Sequence, residues 1–306
     1  MSRISIVGTG AVGTAAAGAI LQERLATSIR FFDKADAKAE GEAMDFAHAA
    51  ALLGDVKITS APFEEASGEE VCVLSAGVKQ RKGETRLALL ERNIEAATSI
   101  AETLERNGLP RVLIVLTNPV DVMTEFFVRR WAGRGVSVIG SGTALDSMRL
   151  RHAIATRLGV APSIVHAWVV GEHGDSSVSL FQEARVGCFS LEEYATQSGI
   201  ALPNEAFDAI EREVRTAAYA VIERKGATAH AIGLTAARLV RAILRDEHVL
   251  VPVSTRVEDG LCASLPCLLG ASGAGRPLRP SMAKDEAARF QKSLDILREA
   301  TRVLGR

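Results

Sequence analysis

Through the first 140 residues the apolar positions repeat one rhythm: a short, nearly continuous β-rich run, then a longer stretch with helical spacing. The runs are Ile4–Val7, Ile29–Phe32, Val56–Ile58, Val71–Leu74, Val112–Leu116 and Val136–Ile139. Between them lie Ala-rich, charged segments such as Ala11–Ala26 and Leu87–Asn107. Apolar runs alternating with helices predict a parallel sheet covered on both faces, and six of them suit a doubly wound arrangement. The pattern changes near residue 141. A helix is predicted over Ala144–Leu158, a strand over Ile164–Val170, and further helices over about Asn204–Arg224, Thr228–Arg245 and Ala283–Leu304. In the first of these last three, Phe207, Ile210, Val214, Ala217 and Val221 fall at three- and four-residue steps, which predicts one buried face. Phe290, Leu294, Leu297 and Val303 form a similar core-facing stripe in the last helix. The chain reads as an α/β protein in two halves. Residues 1–140 carry the doubly wound parallel sheet and 141–306 a mixed α+β arrangement, packed together as one rigid body.

Composition narrows the function classes. A chain of 306 residues allows two domains or one large one at ~100–200 residues per domain. Lys plus Arg (36) balances Asp plus Glu (37), so the net charge is −1 and no cationic excess is available for nucleic acid or an anionic membrane. An apolar share of 47% argues against disorder, and no apolar run approaches the ~18 residues of a membrane span. The N-terminus enters a strand with no hydrophobic signal-like region. Cys72, Cys188, Cys262 and Cys267 show neither CxxC pairs nor a disulfide framework. A soluble, reduced, cytoplasmic protein is expected, with no nucleic-acid or membrane partner.

The first candidate for chemistry is Gly8-Thr9-Gly10-Ala11-Val12-Gly13, between the first strand and the first helix. The glycines allow a tight turn, close approach of backbone to a pyrophosphate, and close helix–strand packing, while the helix N-terminus favours an anion. Asp33 ends the second strand twenty residues after Gly13, where a carboxylate would accept both ribose hydroxyls; the alternative is a helix N-cap. Its charge would repel a 2′-phosphate, favouring NAD over NADP, although Lys34 is adjacent. Four polar clusters follow: Gly83-Glu84-Thr85-Arg86 at the end of the basic segment Lys79–Arg86; Thr117-Asn118-Pro119 after the fifth strand; Asp146 and Arg149, three apart on one helix face; and His173 in Gly171-Glu172-His173-Gly174-Asp175 after a strand. Singly these could be a solvated loop, a turn, a surface ion pair and a turn histidine. No cysteine lies near a histidine at metal-ligand spacing, so no metal is expected.

In order and over nearly the whole chain, down to Ser264-Leu265-Pro266-Cys267, these motifs resemble the lactate/malate dehydrogenase family. Gly171-Glu172-His173-Gly174-Asp175-Ser176 resembles the active-site signature of its L-lactate members, and the start at the first strand that of bacterial ones. The resemblance implies a Rossmann NAD domain, a substrate domain, and reversible hydride transfer between NADH and pyruvate. By resemblance His173 is the acid/base, Asp146 orients it, Arg149 holds the substrate carboxylate, and Arg86 polarises the carbonyl. Asn118 would orient the substrate oxygen. Ser141 would lie by the nicotinamide, and Thr228 and Ile232 at the pocket and nicotinamide face. Gln80 stands where malate members place Arg for a second carboxylate, which points to pyruvate/lactate. Malate and bulkier L-2-hydroxy acids are the alternatives, the latter because His230 replaces an aromatic residue. An inactive NAD-binding module and a metal-dependent hydrolase remain as other classes. Lys82 replaces a loop proline, which predicts a loop from about Val78 to Arg86 that orders on substrate binding. Ser179 and Phe181 also depart from the family's usual Pro and Trp, while His48, His152 and His248 are expected on the surface. Arg151 points about 200° away from Arg149 on its helix, and His166 lies seven residues before His173. In bacterial members the matching pair binds fructose 1,6-bisphosphate between subunits of a homotetramer, so both residues are candidates for such a site.

Overall fold

The computed structural model describes residues 2–78, 86–257 and 260–305, with Arg86 and Leu87 described by their backbone only. The chain runs β1 (Arg3–Val7), α1 (Ala11–Gln22), β2 (Ser28–Phe32), α2 (Asp36–Ala50), β3 (Lys57–Ser60), β4 (Val71–Leu74), α3 (Arg86–Asn107), β5 (Val112–Val115), α4 (Val120–Arg130) and β6 (Ser137–Gly140). It continues through α5 (Ala144–Leu158), β7 (Val165–Val170), β8 (Val178–Val186), β9 (Phe189–Ser190), α6 (Leu191–Gln197), α7 (Asn204–Lys225), α8 (His230–Leu244), β10 (Val249–Arg256), β11 (Cys262–Gly270), β12 (Gly273–Ala274) and α9 (Lys284–Thr301).

The apolar runs of β1, β4 and β5 are buried on both faces because helices cover both sides of their sheet. In space β1–β6 lie in the order β3-β2-β1-β4-β5-β6, all parallel, which is the doubly wound arrangement expected. The sheet does not stop at six strands. β10 pairs antiparallel with β6 through Ser254 and Gly140, and β11 and β12 extend it to nine. The two halves of the sequence therefore share one hydrogen-bonded sheet. A second sheet, β7-β8-β9, is antiparallel.

The halves also share a core. Ala16, Ala17 and Ile20 of α1 sit in one buried cluster with Ala236, Ala237 and Val240 of α8. The two helices cross at Gly233, where an added Cβ would lie 2.6 Å from the carbonyl carbon of Ala15. α9 places Phe290, Leu294 and Leu297 in the core, as its stripe predicts.

Three expectations change in detail. β3 begins at Lys57 rather than Val56, and α8 begins at His230, leaving Thr228 in the turn before it. Of the stripe on α7 only Ile210 and Val214 are buried, with Phe207 and Ala217 half-buried. Beyond that the helix outruns the elements that cover it, and Val221 is exposed beside Tyr219 and Ile222.

Candidate active site

β1 delivers the chain into a glycine loop at the carboxyl edge of the sheet, beside the point where strand order reverses between β1 and β4. Each glycine there has its own reason. Gly8 has φ +99°, and a Cβ on it would lie 2.4 Å from the Ala76 backbone nitrogen. A Cβ on Gly13 would lie 2.0 Å from the Gly8 carbonyl oxygen, so this glycine lets α1 sit on β1. A Cβ on Gly10 would meet nothing within 4 Å; here the glycine keeps space open above the helix end. Gly10 caps α1 without a side-chain hydrogen bond, and no acidic residue stands in the first turn, which Ala11 and Val12 begin. The helix N–H groups and the positive end of its dipole are thus presented to open space, which fits a pyrophosphate.

Asp33 follows β2. Its Oδ2 accepts hydrogen bonds from the Thr9 backbone N–H (2.7 Å) and hydroxyl (2.9 Å), and its Oδ1 accepts one from the Ala35 N–H (3.1 Å). Ala35, not Asp33, is the N-cap of α2, so the capping alternative is not realised. Burial raises the Asp33 pKa, but these hydrogen bonds outweigh it and hold the carboxyl below its ordinary range. An ionised carboxylate with oxygens at the rim of the loop can accept ribose hydroxyls and opposes a 2′-phosphate. The Lys34 ammonium lies over the Phe63 ring.

The second half of the site comes from α5 and the loop after β7. Oδ2 of Asp146, in the first turn of α5, lies 2.6 Å from Nδ1 of His173. Its Oδ1 accepts a hydrogen bond from the Arg149 guanidinium at 2.8 Å. The pair is no surface ion pair: the side chains of Asp146 and Arg149 are only 9% and 18% exposed. Burial raises the Asp146 pKa, but His173 and Arg149 outweigh it and the net shift is downward. Burial pulls the His173 imidazolium down, but Asp146, aided by Asp121, outweighs it and the net shift is upward. The arrangement is a histidine held ready as an acid, with a guanidinium beside it for an anionic substrate.

The His173 loop is anchored by residues to which the sequence assigned no role. The His173 N–H donates to Asp121 Oδ2 (2.7 Å), and the Glu172 N–H donates to the Ser293 hydroxyl (2.8 Å). Gly171 bridges to Ser264, and a Cβ on it would meet the Ser293 hydroxyl at 2.6 Å. Asp121 is the third residue after Asn118, at the start of α4, and its place just past Thr117-Asn118-Pro119 is its one sequence signal.

The other expected residues fall around the same edge. Asn118 is exposed after β5, and Ser141 is buried after β6. Thr228 and Ile232 are half-buried at the start of α8, with Ile232 packed on the core that holds α1. Gln80 and Lys82 lie outside the described residues, as does the Arg86 side chain, so the loop expected over Val78–Arg86 falls largely outside them too. Arg151 points away from the site: its Nε–H donates to the Ala167 carbonyl (3.2 Å), and its guanidinium lies 4.6 Å from the Trp168 ring centroid. His166 is exposed on β7, opposite Arg185 of β8. His48, His152 and His248 are exposed, the last paired with Asp246. Ser179 is buried, and Phe181 packs edge-on against Phe207. Among the described residues no His, Cys, Asp or Glu cluster could hold a metal, and no helix is long and apolar enough to cross a membrane.

Two family models match the chain. The NAD binding domain of lactate/malate dehydrogenase matches residues 2–140, and the alpha/beta C-terminal domain of that family matches residues 143–303. The L-lactate dehydrogenase of Salinibacter ruber is 39% identical, covering 97% of this chain and 96% of that protein. That of Clostridium botulinum (strain Okra) is 36% identical, with 97% and 95% covered. The crystal structure of the minor L-lactate dehydrogenase from Enterococcus mundtii superimposes with a TM-score of 0.91 at 32% identity, over 99% of this chain and 98% of that one. A lactate dehydrogenase from a deep-sea metagenome library of the Medee basin gives 0.90 at 32% identity, over 100% and 99%.

Proposed function

Because the chain belongs to the lactate/malate dehydrogenase family, we propose that it is an NAD-dependent L-lactate dehydrogenase interconverting pyruvate and lactate. The observation that carries this reading is the triad His173–Asp146–Arg149, in which one carboxylate touches both a histidine and an arginine at 2.6 and 2.8 Å. When bound, NAD carries the hydride. Gly8, Gly10, Ala11, Val12 and Gly13 would hold its pyrophosphate and Asp33 its ribose, and Ser141, Asn118 and Ile232 would serve the nicotinamide end. Arg149 fixes the pyruvate carboxylate with its planar fork, Thr228 bounds the pocket, and Asn118 and Arg86 orient and polarise the ketone. His173 gives its proton to the ketone oxygen as the carbon is reduced, and takes it back in lactate oxidation. Asp146 keeps the ring oriented and favours the imidazolium that pyruvate reduction requires.

Pyruvate is favoured over oxaloacetate by the position of Gln80 in the sequence. Gln80 offers no charge to a second substrate carboxylate, and an unpaired buried charge costs ~3–5 kcal/mol. Initial rates of NADH oxidation with pyruvate, oxaloacetate and branched 2-oxo acids decide the assignment. We expect kcat/KM for pyruvate to exceed that for oxaloacetate at least ~100-fold, and Gln80→Arg to narrow or reverse the ratio. Equal values in the unmodified enzyme would refute the lactate reading in favour of malate, and no turnover of any of them would leave an NAD-binding module.

We further propose a homotetramer acting in the cytoplasm, with Arg151 and His166 at a subunit interface where fructose 1,6-bisphosphate binds. The reading is supported by Arg151 turning away from Arg149 onto β7, the strand that carries exposed His166. The bisphosphate should shift the pyruvate saturation curve leftward, and Arg151→Gln should abolish the shift. A curve that does not move refutes the effector site.

A further inference from the structure

Asp121 makes a backbone contact that an amide could make more cheaply. It is 2% exposed, its Oδ2 accepts the His173 N–H at 2.7 Å, and its Oδ1 is buried without a hydrogen bond. No Lys or Arg pairs with it among the described residues, whereas the equally buried Glu125, one turn along α4, is paired with Arg129 and Arg256. A buried carboxylate with one N–H donor and only the Ser254 hydroxyl beside it carries a desolvation penalty that an asparagine would largely avoid. The charge must therefore answer to something else nearby.

The cation it faces is His173. Asp146 divides its charge between His173 and Arg149, one oxygen on each. From the structure we infer that Asp121 is a positioning residue for His173: Oδ2 fixes the backbone of the loop, and its negative charge supports the imidazolium alongside Asp146. The inference rests on the assignment of His173 as the acid.

The surrounding charges agree. Around Asp121 stand His173 and Glu172 of the loop, Glu125 of its own helix, Ser254 of β10 and Cys262 of β11; Asp146 and Arg149 of α5 also face His173. Burial pushes the Asp121 carboxyl up to about 6, against the pull of its hydrogen bonds and of His173. The charge is therefore present at neutral pH, where pyruvate reduction needs the imidazolium, and is lost on acidification.

Asp121→Asn separates the two roles, since its amide oxygen still accepts the N–H while the charge is gone. Asp121→Ala removes both. The His173 imidazole is titrated by NMR in the unliganded proteins, and kcat/KM for pyruvate reduction is measured from pH 5.5 to 9. We expect the His173 midpoint in Asp121→Asn to fall by about one pH unit. The alkaline limb of the profile should move with it, while the rate at its acidic plateau stays within about threefold. Asp121→Ala should show the same displacement and lose about tenfold or more in kcat at every pH. If Asp121→Asn does not fold, Asp121→Ser, smaller and also uncharged, is read in its place. An unmoved midpoint in the folded uncharged variant overturns the inference. The titration needs no turnover, so a failure of the lactate assignment would appear separately, as an unmodified protein that does not reduce pyruvate.

Discussion

Asp146→Asn is the sharpest test of the site, because one substitution breaks two buried contacts at known distances. Asp146 Oδ2 lies 2.6 Å from His173 Nδ1, and Oδ1 lies 2.8 Å from an Arg149 nitrogen. Two unit charges about 4 Å apart attract by ~4 kcal/mol at an effective dielectric of ~20, and removing one partner of a buried pair costs ~3–5 kcal/mol. The asparagine oxygen can still accept one of the two hydrogen bonds, so the lower part of this range applies. At ~1.4 kcal/mol per decade that is a loss of ~100–1000-fold in kcat/KM for pyruvate at pH 7. The loss should shrink on acidification, because an imidazole without Asp146, and still facing Arg149, takes up its proton only at lower pH. Stability carries a second signature. Asp146 is shifted downward, so its contribution is present above the unfolded value of ~3.9 and lost as pH falls through its folded pKa. His173 is shifted upward, so its contribution is complete below ~6.5 and lost as pH rises through its folded pKa. The melting-temperature deficit of the variant should therefore be greatest between about pH 4 and 6.5 and smaller at pH 9. A kcat/KM within fivefold of the unmodified enzyme at pH 7, or a deficit that grows towards pH 9, would refute the reasoning.

The coenzyme loop offers two further tests. Asp33→Ser removes the charge that opposes a 2′-phosphate and should lower kcat/KM for NADH by about tenfold or more while raising the NADPH/NADH ratio; an unchanged ratio removes Asp33 from cofactor choice. Gly10→Ala and Gly13→Ala should part company. A Cβ at Gly10 meets nothing, so its melting temperature should hold while NADH binding measured by fluorescence weakens about tenfold, whereas a Cβ 2.0 Å from the Gly8 carbonyl oxygen should destabilise Gly13→Ala by ~1–3 kcal/mol in denaturant. Equal NADH affinity in Gly10→Ala and the unmodified protein would show that the pyrophosphate does not sit there.

What the sequence made legible follows from how local its signals are. The central strands β4 and β5 were readable because burial on both faces leaves an uninterrupted apolar run, and α5 because its periodicity ends at Gly159, in the left-handed conformation. β10 and β11 escaped notice since pairing across a hairpin, and with β6, is a long-range property that no single window contains. The covered length of α7 likewise depends on neighbours and not on its own spacing. Motifs identified Asp146, Arg149 and His173, whose contacts span 27 residues of chain at most. Asp121 drew no assignment from the sequence, because an acid in a first helical turn has an ordinary explanation in the helix dipole. Only the His173 loop, arriving from 52 residues away, gives it another.

The contact of Gly233 with Ala15 acts as a spacer of zero thickness. In the proposed arrangement the pyrophosphate rests on the start of α1 and the nicotinamide borders Ile232, the residue beside Gly233 on α8. The span between those two ends of one dinucleotide is thus gauged by backbone against backbone, with no side chain between them to bend or change rotamer. A methyl group inserted there would lie 2.6 Å from the Ala15 carbonyl carbon, and the helices would have to part to admit it. The catalytic tolerance on hydride distance is tighter than the width of that methyl group. A backbone contact between two helices therefore calibrates the reaction, and its mutational tolerance should resemble that of the active site more than that of the core around it.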